Sequence, residues 1–211
     1  PKEPPMTDIA LPYFLARPRG EGPWPGVVVI HEANGISPQL LRVCQRLAGE
    51  GYAAVAPDLF FRSGGSEAAD YGTLLGTVNP SGLLDDIGEA ATRLRELGAT
   101  SVGITGFCFG GTQSYRAALH GSFDAAAGFY GSGIPREFGE PSCPTILFFG
   151  GKDEYIPSAD IEAVVARHPG IVTVYPEAGH GFMRDGSESY DGSAAADAWA
   201  RLLAFFAANL H

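Results

Sequence analysis

Basic residues are scarce in this chain of 211 residues. Lysine and arginine together number 14, against 24 aspartates and glutamates, which gives a formal net charge of −10 at pH 7. A field of that sign repels nucleic acids and anionic membrane surfaces, so we expect neither as a partner. An anionic small molecule would need a local cation to bind it.

Cysteines are equally few, at Cys44, Cys108 and Cys143. Their odd number and wide spacing fit neither a disulfide scaffold nor a zinc site. We therefore expect a reducing compartment and no bound metal.

Long apolar runs are also missing. No stretch approaches the roughly 18 apolar residues of a membrane span, and residues 1–5 contain no apolar signal core. We therefore expect a cytoplasmic protein, although a leader removed by processing would leave no trace here. With 45% hydrophobic and 18% charged residues, the composition fits a single globular α/β domain over residues 1–211, without a separate lid domain.

Two kinds of apolar segment alternate along the chain. Strand-length apolar runs are predicted at 9–16 (an edge strand), 26–30, 52–56, from 101 into the turn at 106, within 123–130, at 145–149 and at 171–175. Apolar residues at helical spacing predict helices at 38–51, 83–97, 112–119, 161–168 and 194–210. Residues 59–80 fit neither pattern and are predicted to form a loop over the site. Because such alternating units join parallel strands by right-handed crossovers, the sequence predicts a mostly parallel sheet with helices on both faces.

The segment Gly106-Phe107-Cys108-Phe109-Gly110 has the pattern of a nucleophile elbow. This strained strand-to-helix turn exposes its central residue, and the flanking glycines let neighbouring backbone approach closely. Cys108 would then lie at a helix N-terminus, where the macrodipole favours a thiolate, and the Phe109 N–H would be one oxyanion donor. The alternative is a buried structural cysteine, a common environment for this residue and the one we expect for Cys44 and Cys143.

Asp153 and His180 each follow a predicted strand near the end of the chain. Taken singly, an aspartate is most often a turn former, and a single histidine is most often on the surface or satisfied by hydrogen bonds. Together with Cys108 they have the order nucleophile, acid, histidine that distinguishes α/β-hydrolases. The sequence therefore predicts a Cys-His-Asp triad, whereas no chemistry is expected of the remaining histidines at helix ends and at the terminus.

These motifs resemble those of the dienelactone hydrolase family, over nearly the whole chain. The matching segments are residues 29–35, 52–59, 106–111, 129–131, 151–153 and 180–184. The resemblance implies the α/β-hydrolase fold, hydrolysis of a lactone, and no cofactor. The type reaction of the family is the hydrolysis of dienelactone to maleylacetate. It also implies that Cys108 attacks the carbonyl, with His180 as base and then acid, and with Asp153 fixing the histidine tautomer.

The resemblance assigns roles beyond the triad. Glu32 would hold the resting thiol and act as a switch, since an ionised carboxylate near a thiol disfavours the thiolate until substrate redirects both groups. Arg184 would bind a substrate carboxylate with its planar charged fork. The structural alternatives are a salt-bridged carboxylate and a solvated surface arginine. The implied oxyanion and substrate-binding residues are Ala33, Phe109, Tyr130, Arg184 and Tyr71.

One departure from the family leaves the substrate open. Its dienelactone enzymes bring a second arginine from the loop after the third strand, but this chain has no arginine between Arg62 and Arg93, where Tyr71 lies. A cysteine esterase or thioesterase for a neutral ester therefore remains an alternative. So does a non-catalytic or redox-sensing module on the same fold. An amidotransferase is disfavoured because Phe182 stands where that class has glutamate. The protein is expected to be a monomer or a homodimer.

Overall fold

The computed structural model describes residues 11–65, 72, 76 and 80–211. Its strands are β1 (Tyr13–Ala16), β2 (Gly26–Ile30), β3 (Ala53–Pro57), β4 (Val102–Phe107), β5 (Ala125–Phe129), β6 (Thr145–Gly150) and β7 (Val172–Tyr175). Its α-helices of known bounds are α1 (Pro38–Gly49), α2 (Pro80–Glu96), α3 (Phe109–His120), α4 (Ser158–Arg167) and α5 (Gly192–Asn209). Short 3-10 helices span Phe61–Ser63 and Ile134–Arg136.

The strands form one seven-stranded sheet in the order β1-β3-β2-β4-β5-β6-β7. All neighbouring pairs are parallel except β1, which pairs antiparallel with β3 at the edge. The predicted mostly parallel sheet with an edge strand at its start is confirmed. The winding direction reverses between β2 and β4, and in such sheets ligands bind beyond the carboxyl ends of the strands at that point.

Helices cover both faces of the sheet, as predicted. In the fully buried strand β2, Val27 and Val29 pack in the same cluster as residues of α1 and α5, whereas Val28 and Ile30 pack with residues of α2. A strand buried on both faces reads as a continuous run of apolar residues, which is why β2 was recognisable in the sequence.

The predicted boundaries agree closely where they can be compared. Ser37 caps α1 by accepting a hydrogen bond from the Leu40 N–H, with Pro38 at the first helical position. Helix α3 begins at Phe109, three residues earlier than predicted, because the elbow turn leads directly into the helix.

The start of the predicted edge strand and most of the predicted loop at 59–80 lie outside the described residues. The described part of that loop is not wholly irregular, because Phe61–Ser63 form a 3-10 helix and Gly72 and Gly76 are helical. Within the described ranges there is no lid domain, and no helix is long and apolar enough to cross a membrane.

Candidate active site

Cys108 lies on a strained turn between β4 and α3. Its backbone angles, φ 54° and ψ −113°, are unusual for a residue with a side chain, and it forms the N-cap of α3. A Cβ at Gly106 would collide with the Gly110 carbonyl oxygen, and one at Gly110 would collide with the carbonyl oxygen of Ile30. The glycines of the elbow pattern are therefore required by close backbone approach.

The backbone N–H groups of Phe109 and Ala33 have no hydrogen-bond acceptor among the described residues. Phe109 is the first residue of α3, and the first N–H groups of a helix have no partner within it. Ala33 follows Glu32 in the turn after β2, which is closed by a hydrogen bond of 3.0 Å from the Gly35 N–H to the Glu32 carbonyl. Neither N–H group is therefore committed to an acceptor among the described residues.

The Asp153 carboxylate is fixed by the turn that follows β6 and is fully buried. Its Oδ1 accepts hydrogen bonds from the N–H groups of Tyr155 (2.8 Å) and Ile156 (3.1 Å). Its Oδ2 lies 2.8 Å from Nδ1 of His180, whose side chain is also buried. One carboxylate oxygen therefore holds the loop and the other orients the imidazole.

The environment of His180 favours its protonated form. Burial by itself lowers the pKa of His180, but hydrogen bonds with Asp153 and Cys108, together with their charges, outweigh it and raise the pKa to about 9. The contribution of Cys108 to this pKa means that its thiol lies near the imidazole. The structure thus brings the three residues of the predicted triad together at the carboxyl ends of the strands.

Two tyrosine rings pack edge-on against the His180 ring. The centroid of Tyr130 lies 5.0 Å away and that of Tyr155 lies 4.9 Å away. Tyr130 is buried and has a positive φ of 37°, whereas Tyr155 is 66% exposed. Sequence reasoning missed Tyr155, because nothing distinguishes a tyrosine two residues after an aspartate from an ordinary turn residue.

Glu32 pairs with Arg184 in this structure. Arg184 Nε lies 2.9 Å from Glu32 Oε2, and the Tyr130 hydroxyl donates to Glu32 Oε1 at 3.3 Å. Burial and the charge of Glu32 hold the pKa of Tyr130 well above its ordinary value, so this hydroxyl remains a donor. Among the described residues no hydrogen bond joins Glu32 to Cys108, and none uses the terminal Nη atoms of Arg184. Those Nη atoms are available to a ligand.

The remaining cysteines and histidines differ from the predicted site residues in their surroundings. Burial raises the pKa of the Cys44 thiol to about 12 and also raises that of Cys143, which disfavours a thiolate at either position. His168 is buried, 2.6 Å from the Tyr115 hydroxyl, and His120 ends α3. Tyr71 lies outside the described residues. In the part of the chain that the structure describes, no group of three or more possible ligands is placed to hold a metal ion.

A nucleophile elbow after the central strand of a mostly parallel sheet, with an aspartate and a histidine after later strands, defines an α/β-hydrolase. The chain belongs to the dienelactone hydrolase family, whose sequence model matches residues 11–210, and it is a carboxylic ester hydrolase.

Similar proteins support this assignment. A Yersinia pestis protein named "Putative carboxymethylenebutenolidase" is 34% identical, and the match covers 96% of this chain and 85% of that protein. A crystal structure from Klebsiella pneumoniae, described as "Putative Dienelactone Hydrolase", has a TM-score of 0.83 and 33% identity, over 93% of this chain and 92% of the other. A metagenomic "Dienelactone Hydrolase-like" promiscuous phosphotriesterase, P91, has a TM-score of 0.72 and 25% identity, over 91% of this chain and 89% of the other.

Proposed function

We propose that the protein hydrolyses a lactone or carboxylic ester through a Cys108-His180-Asp153 triad. The observation that carries this proposal is the position of His180, which interacts with the Asp153 carboxylate on one side and the Cys108 thiol on the other. A nucleophile, a base and an orienting group in this arrangement are the parts that acyl transfer requires.

The reaction proceeds through a thioester. Cys108 reacts as a thiolate whose proton is held by His180, and this thiolate attacks the carbonyl carbon of the substrate. The resulting oxyanion accepts hydrogen bonds from the N–H groups of Ala33 and Phe109. As the carbon–oxygen bond of the ester breaks, His180 returns the proton to the leaving oxygen. Water, deprotonated by His180, then cleaves the thioester and restores the thiol, while Asp153 keeps Nε2 available throughout.

Glu32 and Arg184 link substrate binding to the nucleophile in this proposal. The pair is mutually neutralised in the structure, with the Glu32 side chain 15% exposed and the Arg184 side chain 38% exposed. A substrate carboxylate bound to the free Nη atoms of Arg184 would compete with Glu32 for the guanidinium charge. The ion pair between Arg184 and Glu32 would thereby weaken. Glu32 would thereby be freed to turn towards Cys108, so the switch role requires movement of a carboxylate that Arg184 and Tyr130 now hold.

The proposed nucleophile is tested by trapping the acyl-enzyme. Wild-type protein mixed with excess aryl ester and quenched in acid within one turnover is expected to carry the acyl group on the Cys108 peptide. Neutral hydroxylamine should cleave this thioester and release the acyl group. The added acyl mass should be absent from peptides of Cys44 and Cys143, whose thiols resist ionisation. Steady turnover with no acyl group on Cys108 at any quench time would contradict the proposal.

Arg184→Ala is expected to discriminate between substrates by charge. If Arg184 binds a substrate carboxylate, kcat/KM for a carboxylate-bearing lactone should fall about 10- to 150-fold more than kcat/KM for a neutral aryl ester, which corresponds to roughly 1.5 to 3 kcal/mol for a charge-assisted hydrogen bond. The measurement compares both substrates at fixed ionic strength. Because an unpaired Glu32 would affect the nucleophile with either substrate, the ratio isolates the substrate carboxylate.

Arg93→Ala is the matched control, since it removes the same charge from a distant surface pair with Glu96 on α2. This variant should leave kcat/KM for both substrates close to the wild-type values. Equal losses on both substrates in Arg184→Ala would mean that Arg184 does not bind a carboxylate and would favour a neutral ester as substrate.

A further inference from the structure

His31 directly follows strand β2 and is completely buried beside the elbow. Its Nδ1 lies 2.7 Å from the Glu32 carbonyl oxygen, and its Nε2 accepts a hydrogen bond of 3.1 Å from the Leu59 N–H. A carbonyl only accepts and a backbone N–H only donates, so the ring is neutral with its proton on Nδ1. Burial is the main cause that lowers the pKa of His31, opposed by the Glu32 carbonyl and by the charges of Asp58 and Glu32. The imidazole therefore ties the end of β2 to the segment after β3.

The carbonyl that His31 holds belongs to the same peptide group as the Ala33 N–H. A trans peptide is planar, so its C=O and N–H point in opposite directions, and fixing one fixes the other. The Glu32 carbonyl is held from two sides, by Nδ1 of His31 and by the Gly35 N–H at 3.0 Å. These two bonds set the direction in which the Ala33 N–H points.

The second oxyanion donor also contacts His31. The ring of Phe109, whose N–H is free at the start of α3, stacks on the imidazole at a centroid distance of 5.8 Å and an interplanar angle of 21°. Phe60 packs against the same imidazole at 4.7 Å and against Phe109 at 5.5 Å. A Cβ at Gly110 would lie within 2.7 Å of the His31 carbonyl oxygen, so the elbow and the end of β2 are in direct backbone contact.

We propose that His31 is a positioning residue that holds the Ala33 and Phe109 N–H groups where both can donate to the same oxyanion. The proposal rests on the proposed function, since it assigns both N–H groups to the oxyanion of the Cys108 reaction. Among the described residues, His31 makes no hydrogen bond to Cys108, His180 or Asp153, so it acts through the backbone donors.

The experiment separates acyl transfer from thiol reactivity. Alkylation of Cys108 by iodoacetamide needs the thiolate but forms no oxyanion, whereas ester hydrolysis needs both. His31→Phe keeps a ring of similar shape and loses both hydrogen bonds. This variant is expected to lower kcat for an aryl ester about 10- to 100-fold. A misdirected N–H group loses part of the transition-state stabilisation that one oxyanion donor provides. The alkylation rate of Cys108, followed by mass spectrometry, should stay within about threefold of wild type, because nucleophile and base are untouched.

His31→Gln is the rescue variant, because its amide also offers one donor and one acceptor. It should recover at least about half of the loss in activation free energy. His31→Leu replaces His31→Phe if the latter does not fold, with folding checked by near-UV circular dichroism, and carries the same expectation.

Three outcomes would overturn the role of His31: a parallel fall in hydrolysis and alkylation, unchanged hydrolysis in the apolar variant, or equal losses in the Gln and Phe variants. Failure of the proposed function itself would give a different result. If Cys108 is not the nucleophile, wild-type protein fully alkylated at Cys108 would still hydrolyse the ester.

Discussion

Cys108→Ala is expected to lower kcat/KM for an aryl ester by at least about 10⁴-fold while leaving the fold intact, because it removes the only atom proposed to bond to the substrate. The Cys108 side chain is only partly buried, so the deletion leaves no large cavity in the core. Steady-state kinetics beside a thermal unfolding curve measure both effects. Iodoacetamide should abolish wild-type hydrolysis in proportion to the fraction of Cys108 alkylated.

Cys44→Ala and Cys143→Ala are the matched controls for this nucleophile. Both lie away from the triad and should keep near-native kcat/KM, although Cys44→Ala is expected to lose about 1 to 2 kcal/mol of stability because that side chain is fully buried. Full hydrolysis by Cys108→Ala, or by protein completely alkylated at Cys108, would remove the cysteine from the mechanism and favour the non-catalytic or redox-sensing alternative for this thiol.

Asp153→Asn is expected to lower kcat by about 10³- to 10⁴-fold with little loss of structure. The asparagine oxygen can keep the hydrogen bonds from the N–H groups of Tyr155 and Ile156, so the turn after β6 is preserved. Its NH₂ group would then face His180 Nδ1 as a donor and shift the imidazole proton to Nε2, where the thiol proton must be received. His180→Ala should be at least as inactive, and a turnover within tenfold of wild type in either variant would contradict the triad.

The same substitution should change how stability depends on pH. The folded-state pKa of His180, about 9, lies above its ordinary value of 6.5. Protonated His180 therefore stabilises the folded state fully below about pH 6.5, and this contribution is lost as the pH rises through about 9. In urea unfolding, the stability advantage of wild type over Asp153→Asn should fall by roughly 2 kcal/mol between pH 6 and pH 9.5. A difference that is constant or grows with pH would show that Asp153 does not favour the protonated imidazole.

The sheet was largely predictable because its central strands are buried on both faces. Strands such as Gly26–Ile30 and Thr145–Gly150 read as unbroken apolar runs, and the helices between them have regular apolar spacing. Helix α3 was predicted too short because its first turn contains Gly110 and Gly111. Glycine disfavours a helix locally, and the close approach of this turn to β2 and β5 decides the matter instead.

The candidate site was only partly predictable. Cys108, Asp153 and His180 follow strands, and carboxyl ends of parallel strands share one edge of the sheet, so their meeting could be inferred from order alone. The partners of Glu32 could not be inferred in this way. Its pairing with Arg184 joins residues 152 positions apart and depends on how two loops pack. The contact of Tyr155 with His180 depends on side-chain direction in a turn, which residue spacing does not specify.

The strand and helix pattern, the elbow and the order of the triad residues can be read from the chain alone, because these follow from local periodicity and from the short-range demands of a tight turn. Which groups face one another around the nucleophile depends instead on how distant segments pack in three dimensions. The free N–H groups of Ala33 and Phe109, and the hold of His31 on the peptide between Glu32 and Ala33, arise where β2, the segment after β3 and α3 converge. A contact among three segments far apart in the chain leaves no periodic signal in the sequence. Each segment can adopt its own secondary structure whether or not the other two are present.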